Sequence, residues 1–366
     1  MRRVLITGGA GFAGSTLALR WKRSHADDEV VAFDNLRRAG SELALPRLRE
    51  GGVRFCHGDL RNPEDLATLG AAQLVIDCAA EPSVQAGQGD DSEALVRNNL
   101  FSTLNCLEFC RRHDAGLVFL STSRVYPIAG LRGLPLETIG ARLELPRGAE
   151  GPGWSTRGIR NDFPMTGSRS LYGATKLASE LLVQEYHALH GLPAVIYRCG
   201  VLAGPWQMGR VDQGFVALWA ARHLWGERLD YRGFGGEGRQ VRDVLHIDDL
   251  FDLIERQFPD LESLDARTFG VGGGHENSVS LLELSKLCAE RCGQALDIGR
   301  VEETHPTDVP YFVTDNQEIS QASGWEPGRG LEQVLDDVLR WLRAAGPELK
   351  QVLGASKTAP SGAGTQ

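Results

Sequence analysis

Tyr172 and Lys176, in the segment "YGATK", are two residues that could move a proton together. Their spacing of four places both side chains on one face of a helix. A phenol, with a pKa of about 10, is a poor base at neutral pH unless a neighbouring ammonium group stabilises the phenolate. The pair therefore predicts a catalytic base, Tyr172, whose pKa Lys176 lowers, although an ordinary surface pair would have the same spacing.

A third candidate group lies among the hydroxyl residues of "STSRVYP", residues 121–127. This segment follows the apolar run "LVFL" and ends in proline, so it is predicted to be the end of a buried strand running into a loop. A hydroxyl group at a strand end can hydrogen-bond to the substrate oxygen that Tyr172 would deprotonate. One of the hydroxyl groups of "STS", residues 121–123, is therefore predicted to complete the catalytic centre, whereas Tyr126 is not expected to be the base.

The glycine-rich segment "TGGAGFAG", residues 7–14, lies between a strand pattern and a helix pattern. Gly8, Gly11 and Gly14 stand where a tight turn, a close pyrophosphate and close helix–sheet packing each exclude a Cβ atom. The helix N-terminus that follows offers unpaired N–H groups to phosphate. An ordinary glycine-rich turn is the alternative, but Asp34, about 20 residues further on at the end of a second strand, favours dinucleotide binding.

Asp34 also bears on which dinucleotide binds. Its carboxylate can accept hydrogen bonds from the adenosine ribose and would repel a 2′-phosphate, so NAD is favoured over NADP. Arg37 and Arg38 follow closely and could weaken that preference.

The order of apolar and helical segments predicts how these residues come together. Strand-like runs such as "RRVLITGG", "EVVAFD", "QLVIDCAA" and "GLVFLSTS" alternate with helical patterns. Strands this apolar are typical of a parallel sheet covered by helices on both faces. The predicted fold class is α/β, a Rossmann-type doubly wound parallel sheet with a smaller mixed α/β C-terminal substrate domain.

The predicted NAD-binding domain spans residues 1–198, and the chain is expected to return to it near 241–258. Residues 199–345 are predicted to form mainly the substrate-binding domain, and the small, polar tail 346–366 is expected to be flexible. Residues 127–169 are rich in Gly, Pro and Arg and too long for a simple connection. They are predicted to form an active-site loop that covers the substrate.

Composition argues against several classes of function. The formal net charge of −9 argues against a nucleic-acid partner, because phosphate binding needs a basic surface. No apolar segment approaches the length of a membrane span, and the N-terminus lacks the features of a signal peptide. The seven cysteines are scattered, which is typical of reduced residues packed on helices. A cytoplasmic protein without a metal site is therefore expected.

Several motifs together resemble the extended short-chain dehydrogenase/reductase family, the NAD-dependent epimerases and dehydratases. They are the glycine loop, Asp34, "GDL" at 58–60, "CAA" at 78–80, Asn99, the Ser/Thr strand end, Tyr-x-x-x-Lys at 172–176 and "RDVLHIDD" at 242–249. The resemblance covers residues 3–345 in unbroken order. It implies an enzyme that binds NAD, acts on nucleotide-diphosphate sugars and forms a homodimer or higher homo-oligomer through helices near 92–113 and 170–190.

The resemblance also implies which residues serve each part of the site. Thr122, Tyr172 and Lys176 match the catalytic triad of the family. The predicted cofactor contacts are Gly8, Gly11, Phe12, Ala13, Asp34, Asn35, Arg37, Asp59, Leu60, Ala79, Ala80, Asn99, Tyr172 and Lys176. The predicted substrate contacts are Glu81, Ser123, Arg124, Gln213, Arg242 and His305, and the diphosphate is expected to rest chiefly on Arg242.

Family members that eliminate water carry acidic residues after the catalytic hydroxyl, where this chain has Ser123 and Arg124. Neither side chain is a carboxylic acid, so a reaction that returns the hydride is favoured over elimination. The predicted reaction is therefore epimerisation. Tyr172 removes the proton from a sugar hydroxyl, NAD takes the hydride from the same carbon, and NADH returns it to the opposite face of the ketone.

Further motifs, including "FDNLRR", "DQGFVALW" at 212–219 and "GRQVRDVLH" at 238–246, are similar to those of family members that epimerise C2 of CDP-linked sugars. The predicted substrate is a CDP- or other NDP-linked hexose, and the predicted carbon is C2. Epimerisation at C4, net oxidation or reduction, and NAD binding without catalysis are the alternatives. Three residues depart from the family pattern: Val201 replaces an asparagine, His305 an arginine near the diphosphate, and Glu81 a common glutamine.

Overall fold

The computed structural model describes residues 1–87, 91–209, 213–345 and 347–354. Its helices are α1 (Phe12–Ser24), α2 (Leu45–Glu50), α3 (Pro63–Ala67), α4 (Ser92–Val96), α5 (Ser102–His113), α6 (Ile128–Arg132), α7 (Leu171–His190), α8 (Phe215–Trp225), α9 (Ile247–Gln257), α10 (Leu281–Cys292), α11 (Gln317–Ser323), α12 (Leu331–Ala344) and α13 (Pro347–Gly354). A π-helical turn at Arg97–Phe101 joins α4 to α5.

The strands are β1 (Arg3–Thr7), β2 (Glu29–Asp34), β3 (Arg54–His57), β4 (Leu74–Asp77), β5 (Gly116–Thr122), β6 (Glu137–Ile139), β7 (Arg142–Glu144), β8 (Glu150–Gly151), β9 (Trp154–Ser155), β10 (Gly158–Ile159), β11 (Ala194–Cys199), β12 (Val201–Ala203), β13 (Asp230–Arg232), β14 (Val241–His246), β15 (Thr268–Val271), β16 (Ser278–Ser280), β17 (Gly299–Val301) and β18 (Tyr311–Phe312).

A parallel sheet forms the centre of the fold, with seven strands in the described part of the chain, in the order β15-β11-β5-β4-β1-β2-β3. Strands β4 and β5 are buried along their whole length, because helices cover both faces of the sheet. Trp21 of α1 and Phe251 of α9 pack on one face, and Leu107 of α5 and Val183 of α7 pack on the other. The predicted Rossmann-type α/β fold is confirmed.

The smaller region is mixed α/β, as predicted. Its strands β12, β14 and β16 form a sheet to which β18 is added on β14, and the β14–β16 pair is antiparallel. Helices α8, α10 and α12 pack together through Val216, Leu284 and Val338. The predicted division at 198/199 stays a prediction. Beyond it, α9 packs on the face of the parallel sheet, and β15 adds the strand at its edge.

Residues 127–169 fold into α6, the β6–β7 hairpin and the small sheet β8-β9-β10. The segment begins and ends at one place, because the N–H of Ile128 donates to the carbonyl oxygen of Ser168 (3.0 Å). Its apolar residues form a separate core with β14 and β18, which contains Leu131, Leu145, Ile159, Phe163, Val241, Val309, Tyr311 and Phe312. The prolines and most of the glycines that predicted a loop thus lie between short elements, whereas Gly130, Gly151 and Gly158 lie within them.

The prediction of a flexible tail at 346–366 needs correction over Pro347–Gly354, which form α13. Leu349 and Leu353 stand four positions apart and are buried in the core of the smaller region, so packing stabilises the helix. Residues 346 and 355–366 lie outside the described chain. Within it, no helix combines the length and the apolar character needed to cross a membrane.

Candidate active site

A cavity of about 1380 Å³ lies at the carboxyl ends of the central parallel strands, where the sheet meets the smaller region. Ligands of doubly wound folds bind at this edge, where the strand order reverses. The cavity is lined by every predicted site residue except Asn99: Gly8, Gly11, Phe12, Ala13, Asp34, Asn35, Arg37, Asp59, Leu60, Ala79, Ala80, Glu81, Thr122, Ser123, Arg124, Tyr172, Lys176, Gln213, Arg242 and His305.

The glycine turn lets α1 begin directly against the sheet. Gly8 has φ +59°, and a Cβ atom there would lie 3.0 Å from the backbone of Ala79. A Cβ atom on Gly14 would lie 2.2 Å from the carbonyl oxygen of Gly8. The first turn of α1, which starts at Phe12, therefore faces the cavity with its N–H groups, and this cradle fits the diphosphate of a dinucleotide.

Two carboxylates stand at the adenosine end of this cradle. Asp34 ends β2, and its oxygens accept hydrogen bonds from the N–H groups of Ala10 (3.1 Å) and Leu36 (2.7 Å). Burial raises the pKa of Asp34, and those two hydrogen bonds oppose the rise. Asp59 accepts a hydrogen bond from the side chain of Asn35 (3.1 Å), and hydrogen bonds from Arg61 lower the pKa of Asp59 to about 2. Both carboxylates retain lone pairs that could accept from ribose hydroxyls.

Asn99 is corrected from a cofactor contact to a support for the cavity wall. It is 1% exposed and lies outside the cavity lining. Its Oδ1 accepts from the N–H of Glu81 (2.8 Å), and its Nδ2 donates to the carbonyl oxygen of Glu81 (3.2 Å) and to the hydroxyl of Thr175 (3.2 Å). Asn99 therefore joins the loop after β4 to α7, a contact that no local pattern encodes.

The structure brings Thr122, Tyr172 and Lys176 together at the middle of the cavity. Tyr172 and Lys176 lie on the first turns of α7, where the hydroxyl of Ser170 accepts from the N–H of Gly173 (3.1 Å) and caps the helix. Tyr172 is 7% exposed and Lys176 is 3% exposed. Thr122 ends β5, and its hydroxyl accepts from the N–H of Arg124 (3.2 Å) and lowers the pKa of the Tyr172 phenol.

The pKa of Tyr172 differs from the sequence-based expectation. Burial raises it to about 12, and the hydrogen bond from Thr122 and the charge of Arg124 oppose the rise only in part. Burial also lowers the pKa of Lys176, against the charge of Asp77. Arg124 is a nearby cation that favours the phenolate, and with a pKa of about 12 the phenol stays protonated at neutral pH without cofactor.

Two buried carboxylates behind the predicted catalytic side chains were missed by sequence reasoning. Asp77, at the end of β4, accepts from the hydroxyl of Thr7 (2.5 Å) and favours the charged form of Lys176. Glu180 is one turn beyond Lys176 on α7 and forms an ion pair with Arg198 (2.8 Å). The acid that ends "LVID" and the four-residue spacing between Lys176 and Glu180 were the available signals.

At the other end of the cavity, the side chain of Arg242 in β14 is 12% exposed and already partnered. Its Nη2 donates to Oδ1 of Asp308 (2.8 Å) and to the carbonyl oxygen of Val309 (2.6 Å). Burial lowers the pKa of Arg242 to about 10, so it is still charged at neutral pH. Arg124 donates from Nη1 to the carbonyl oxygen of Thr307 (3.3 Å). Both cations contact residues 307–309 of one turn, so they can attract one anion.

The remaining predicted substrate residues differ in position. His305 lines the cavity, and its Nδ1 is hydrogen-bonded to the hydroxyl of Thr307 (2.8 Å). Glu81 is an exposed carboxylate at the rim. The side-chain oxygen of Gln213 accepts from Nη2 of Arg38 (2.7 Å). Because Arg38 is four residues after Asp34, the amide of Gln213 lies on the predicted cofactor side of the cavity. Ser123 begins the short 3-10 turn after β5.

Residues 127–169 were predicted to cover the substrate, and the structure corrects this. No residue of the segment lines the cavity, because its apolar side chains pack against the outer face of β14 and β18. Arg132 of this segment nevertheless donates hydrogen bonds to the carbonyl oxygens of His305 and Asp308 (2.9 Å each), which belong to the cavity wall. Elsewhere in the described residues, no cluster of three or more His, Cys, Asp or Glu side chains is arranged to hold a metal ion.

Several known proteins are similar to this chain. Residues 4–272 match the model of the "NAD dependent epimerase/dehydratase family". The chain is 29% identical over 347 residues to a CDP-paratose 2-epimerase of Salmonella typhi, covering 93% of this chain and 98% of that protein. It is 27% identical to a dTDP-glucose 4,6-dehydratase of Streptomyces niveus, covering 93% of each chain.

Among solved structures, the fold is similar to that of the Thermus thermophilus UDP-glucose 4-epimerase in complex with NAD. The TM-score is 0.75 at 28% identity, covering 94% of this chain and all of that one. It is also similar to the Bacillus cereus UDP-glucuronic acid 4-epimerase in complex with UDP-glucuronic acid and NAD, with a TM-score of 0.75 at 23% identity and coverage of 93% and 99%.

Proposed function

Because this chain belongs to the NAD-dependent epimerase/dehydratase family, we propose that it is a nucleotide-sugar epimerase that works through a transient keto-sugar, at C2 of a CDP- or other NDP-linked hexose. Its cofactor is NAD, and its substrates are nucleotide-diphosphate sugars. The proposal of C2 and of a CDP group is supported by the 2-epimerase of Salmonella typhi and by the shared motifs around 238–246.

The observation that carries epimerisation is the pair of residues after the catalytic hydroxyl. Ser123 and Arg124 stand beside Thr122, where water elimination would need a carboxylic acid. Arg124 instead carries a positive charge that acts on Tyr172. Such a charge stabilises a phenolate and cannot protonate a leaving hydroxyl at neutral pH, because guanidinium holds its proton too tightly.

In the proposed reaction, the phenolate of Tyr172, which the positive charges of Arg124 and of bound NAD would favour, accepts the proton of the C2 hydroxyl while Thr122 hydrogen-bonds to the same oxygen. NAD, when bound, supplies the acceptor and later the donor of the C2 hydride. Tyr172 returns the proton to the oxygen as the opposite face of the ketone is reduced. Arg124 and Arg242 hold the diphosphate during the turnover, so the sugar can rotate while its nucleotide stays bound. Protons and electrons balance, and NAD is regenerated.

The test uses a CDP-hexose deuterated at C2 and the NAD-loaded protein. We expect a product inverted at C2 that retains its deuterium, with no accumulation of NADH absorbance. Loss of deuterium to water would contradict hydride return, loss of water by mass would indicate dehydration, and accumulating NADH would indicate a net dehydrogenase. Inversion at C4 would contradict C2. Mass spectrometry of ligands released from the denatured protein identifies the cofactor and any co-purified sugar nucleotide.

We also propose that the protein forms homo-oligomers through the helical segments 92–113 and 171–190. Phe101, Leu181 and Leu189 on these segments are exposed by 50%, 56% and 71%. A cytoplasmic location stays a prediction. Leu181→Glu should convert a dimer to a monomer in light scattering, and Leu189→Glu provides a second site on the same helix. A monomeric unmodified protein would contradict the proposal.

A further inference from the structure

The turn at residues 305–309 forms one wall of the cavity and receives arginine side chains from three separate segments. Arg124 comes from the end of β5, Arg242 from β14, and Arg132 from α6 at the start of segment 127–169. We propose that Arg132 is a positioning residue, which holds this turn so that Arg242 and Arg124 can receive the diphosphate. This rests on the proposed function.

Arg132 spans the turn with one guanidinium group. Its Nε donates to the carbonyl oxygen of Asp308 and its Nη2 to that of His305, both at 2.9 Å. The turn closes on itself between the same two residues, since the N–H of Asp308 donates to the carbonyl oxygen of His305 (3.0 Å). The planar fork of an arginine suits two acceptors held side by side, so Arg132 fixes both ends of the turn at once.

The contacts on the cavity side depend on those ends. Asp308 offers its carboxylate to Arg242, and the neighbouring carbonyl oxygen of Val309 accepts from the same nitrogen. Thr307 offers its carbonyl oxygen to Arg124. If the turn relaxed, both cavity arginines would lose partners that set the direction of their remaining donors.

The backbone that carries Arg132 is held in place by packing. The preceding residue, Leu131, is 2% exposed and packs in the same core as Val309. The rest of the segment is fastened elsewhere, for example by Arg157, which bridges Asp315 (3.1 Å) and Gln317 (2.6 Å). Arg132 therefore reaches the turn from a rigid helix end and does not line the cavity. Its removal should weaken nucleotide binding and leave the chemical step unchanged.

The test compares Arg132→Met, Arg132→Lys and the matched control Arg157→Met, all loaded with NAD. Calorimetry with CDP and with UDP measures binding, steady-state kinetics separate kcat from KM, and hydrogen–deuterium exchange follows the peptide that contains residues 305–309. Loss of two hydrogen bonds from a charged donor at an exposed site should weaken CDP binding and raise KM about tenfold in Arg132→Met. We expect kcat within about twofold, faster exchange in the turn, and partial recovery in Arg132→Lys, because an ammonium group can still donate to both carbonyl oxygens.

Arg157→Met should leave binding and exchange of the turn as in the unmodified protein. Unchanged exchange in Arg132→Met would overturn the inference whatever ligand binds, and so would a loss of kcat at constant KM or an equal effect of Arg157→Met. Faster exchange combined with no binding of CDP or UDP by the unmodified protein would overturn the proposed function and, with it, the role of the turn in holding a diphosphate.

Discussion

The half of the cavity beside Gly8 and Gly14 is shaped mainly by backbone, whereas the half beside Arg242 is shaped by charged side chains. In the first, the absence of Cβ atoms lets the N-terminus of α1 reach the sheet. In the second, Arg124, Arg132 and Arg242 converge on one turn. The first, which we propose holds the cofactor and call the cofactor half, therefore depends on a junction that the fold itself needs. The second, the proposed substrate half, depends on individual arginine side chains.

The largest effect should come where the two halves meet. Tyr172→Phe keeps the ring and removes the proton acceptor, so kcat should fall about 1000-fold while the affinities for NAD and CDP change little. The matched control is Tyr126→Phe, a buried tyrosine that lies against Arg198 outside the cavity lining. Turnover by Tyr172→Phe at the unmodified rate would refute the assigned base.

Gly14→Ala should damage the cofactor half alone. The new Cβ atom would lie 2.2 Å from the carbonyl oxygen of Gly8, so the turn must shift. Overpacking of this kind amounts to about 2 kcal/mol, which corresponds to roughly 30-fold weaker NAD binding. Gly330→Ala, where the nearest atom is 3.9 Å from the Cβ position, is the control. An equal loss of CDP affinity in Gly14→Ala would break the distinction between the halves.

Arg242→Met should damage the substrate half alone. A hydrogen bond to a charged group contributes about 1.5–3 kcal/mol, so CDP should bind roughly 10- to 100-fold more weakly. NAD content, measured on the denatured protein, should be unchanged. Arg239→Met, which removes an arginine paired with Glu237, is the control on the same segment. Loss of NAD from Arg242→Met would show that the two halves are coupled.

Asp308→Asn should have a smaller effect of the opposite sign. The carboxylate pairs with Arg242 (2.8 Å) and would repel a diphosphate, so its neutralisation should tighten CDP binding about threefold. The free protein should melt at a lower temperature, because a buried guanidinium loses its counter-ion. Calorimetry and thermal unfolding measure the two effects, and weaker CDP binding would contradict the repulsion.

The smallest expected effect concerns the ionisation of the Tyr172 phenol as the pH rises. Its pKa of about 12 means that the protonated form persists as the pH rises, so the NAD-free protein should show no tyrosinate absorbance from this residue up to about pH 10. The difference spectrum against Tyr172→Phe isolates the signal. Ionisation near neutral pH would indicate that Lys176 stabilises the phenolate without cofactor.

The sequence predicts the cofactor half well because its signals are local. The turn, helix N-terminus and acid fall within residues 7–34, and the four-residue spacing of Tyr172 and Lys176 depends only on the helix. The contacts of Asn99 and Arg132 could not be predicted in this way. Each joins segments far apart in the chain, and their partners include backbone carbonyl oxygens, which carry no residue-specific signal.

The same reasoning explains the two structural corrections. Glycine and proline mark the turns of residues 127–169 but do not reveal that Leu131 and Phe163 pack against β14 and β18. Likewise, the polar residues of the tail do not reveal that Leu349 and Leu353 are buried in the core of the smaller region. In both cases a distant partner decides the local structure.

The hydrogen bond between Ile128 and Ser168 brings the two ends of segment 127–169 together at its base. A shortened chain could rejoin across that bond and keep β5 and α7 in place, with Thr122 and Tyr172 still in register. It would lose Arg132 and the hydrophobic support behind β14. The segment therefore suits transplantation: grafted between the same strand and helix of another member of the fold, it would carry a ready-made brace for a binding turn.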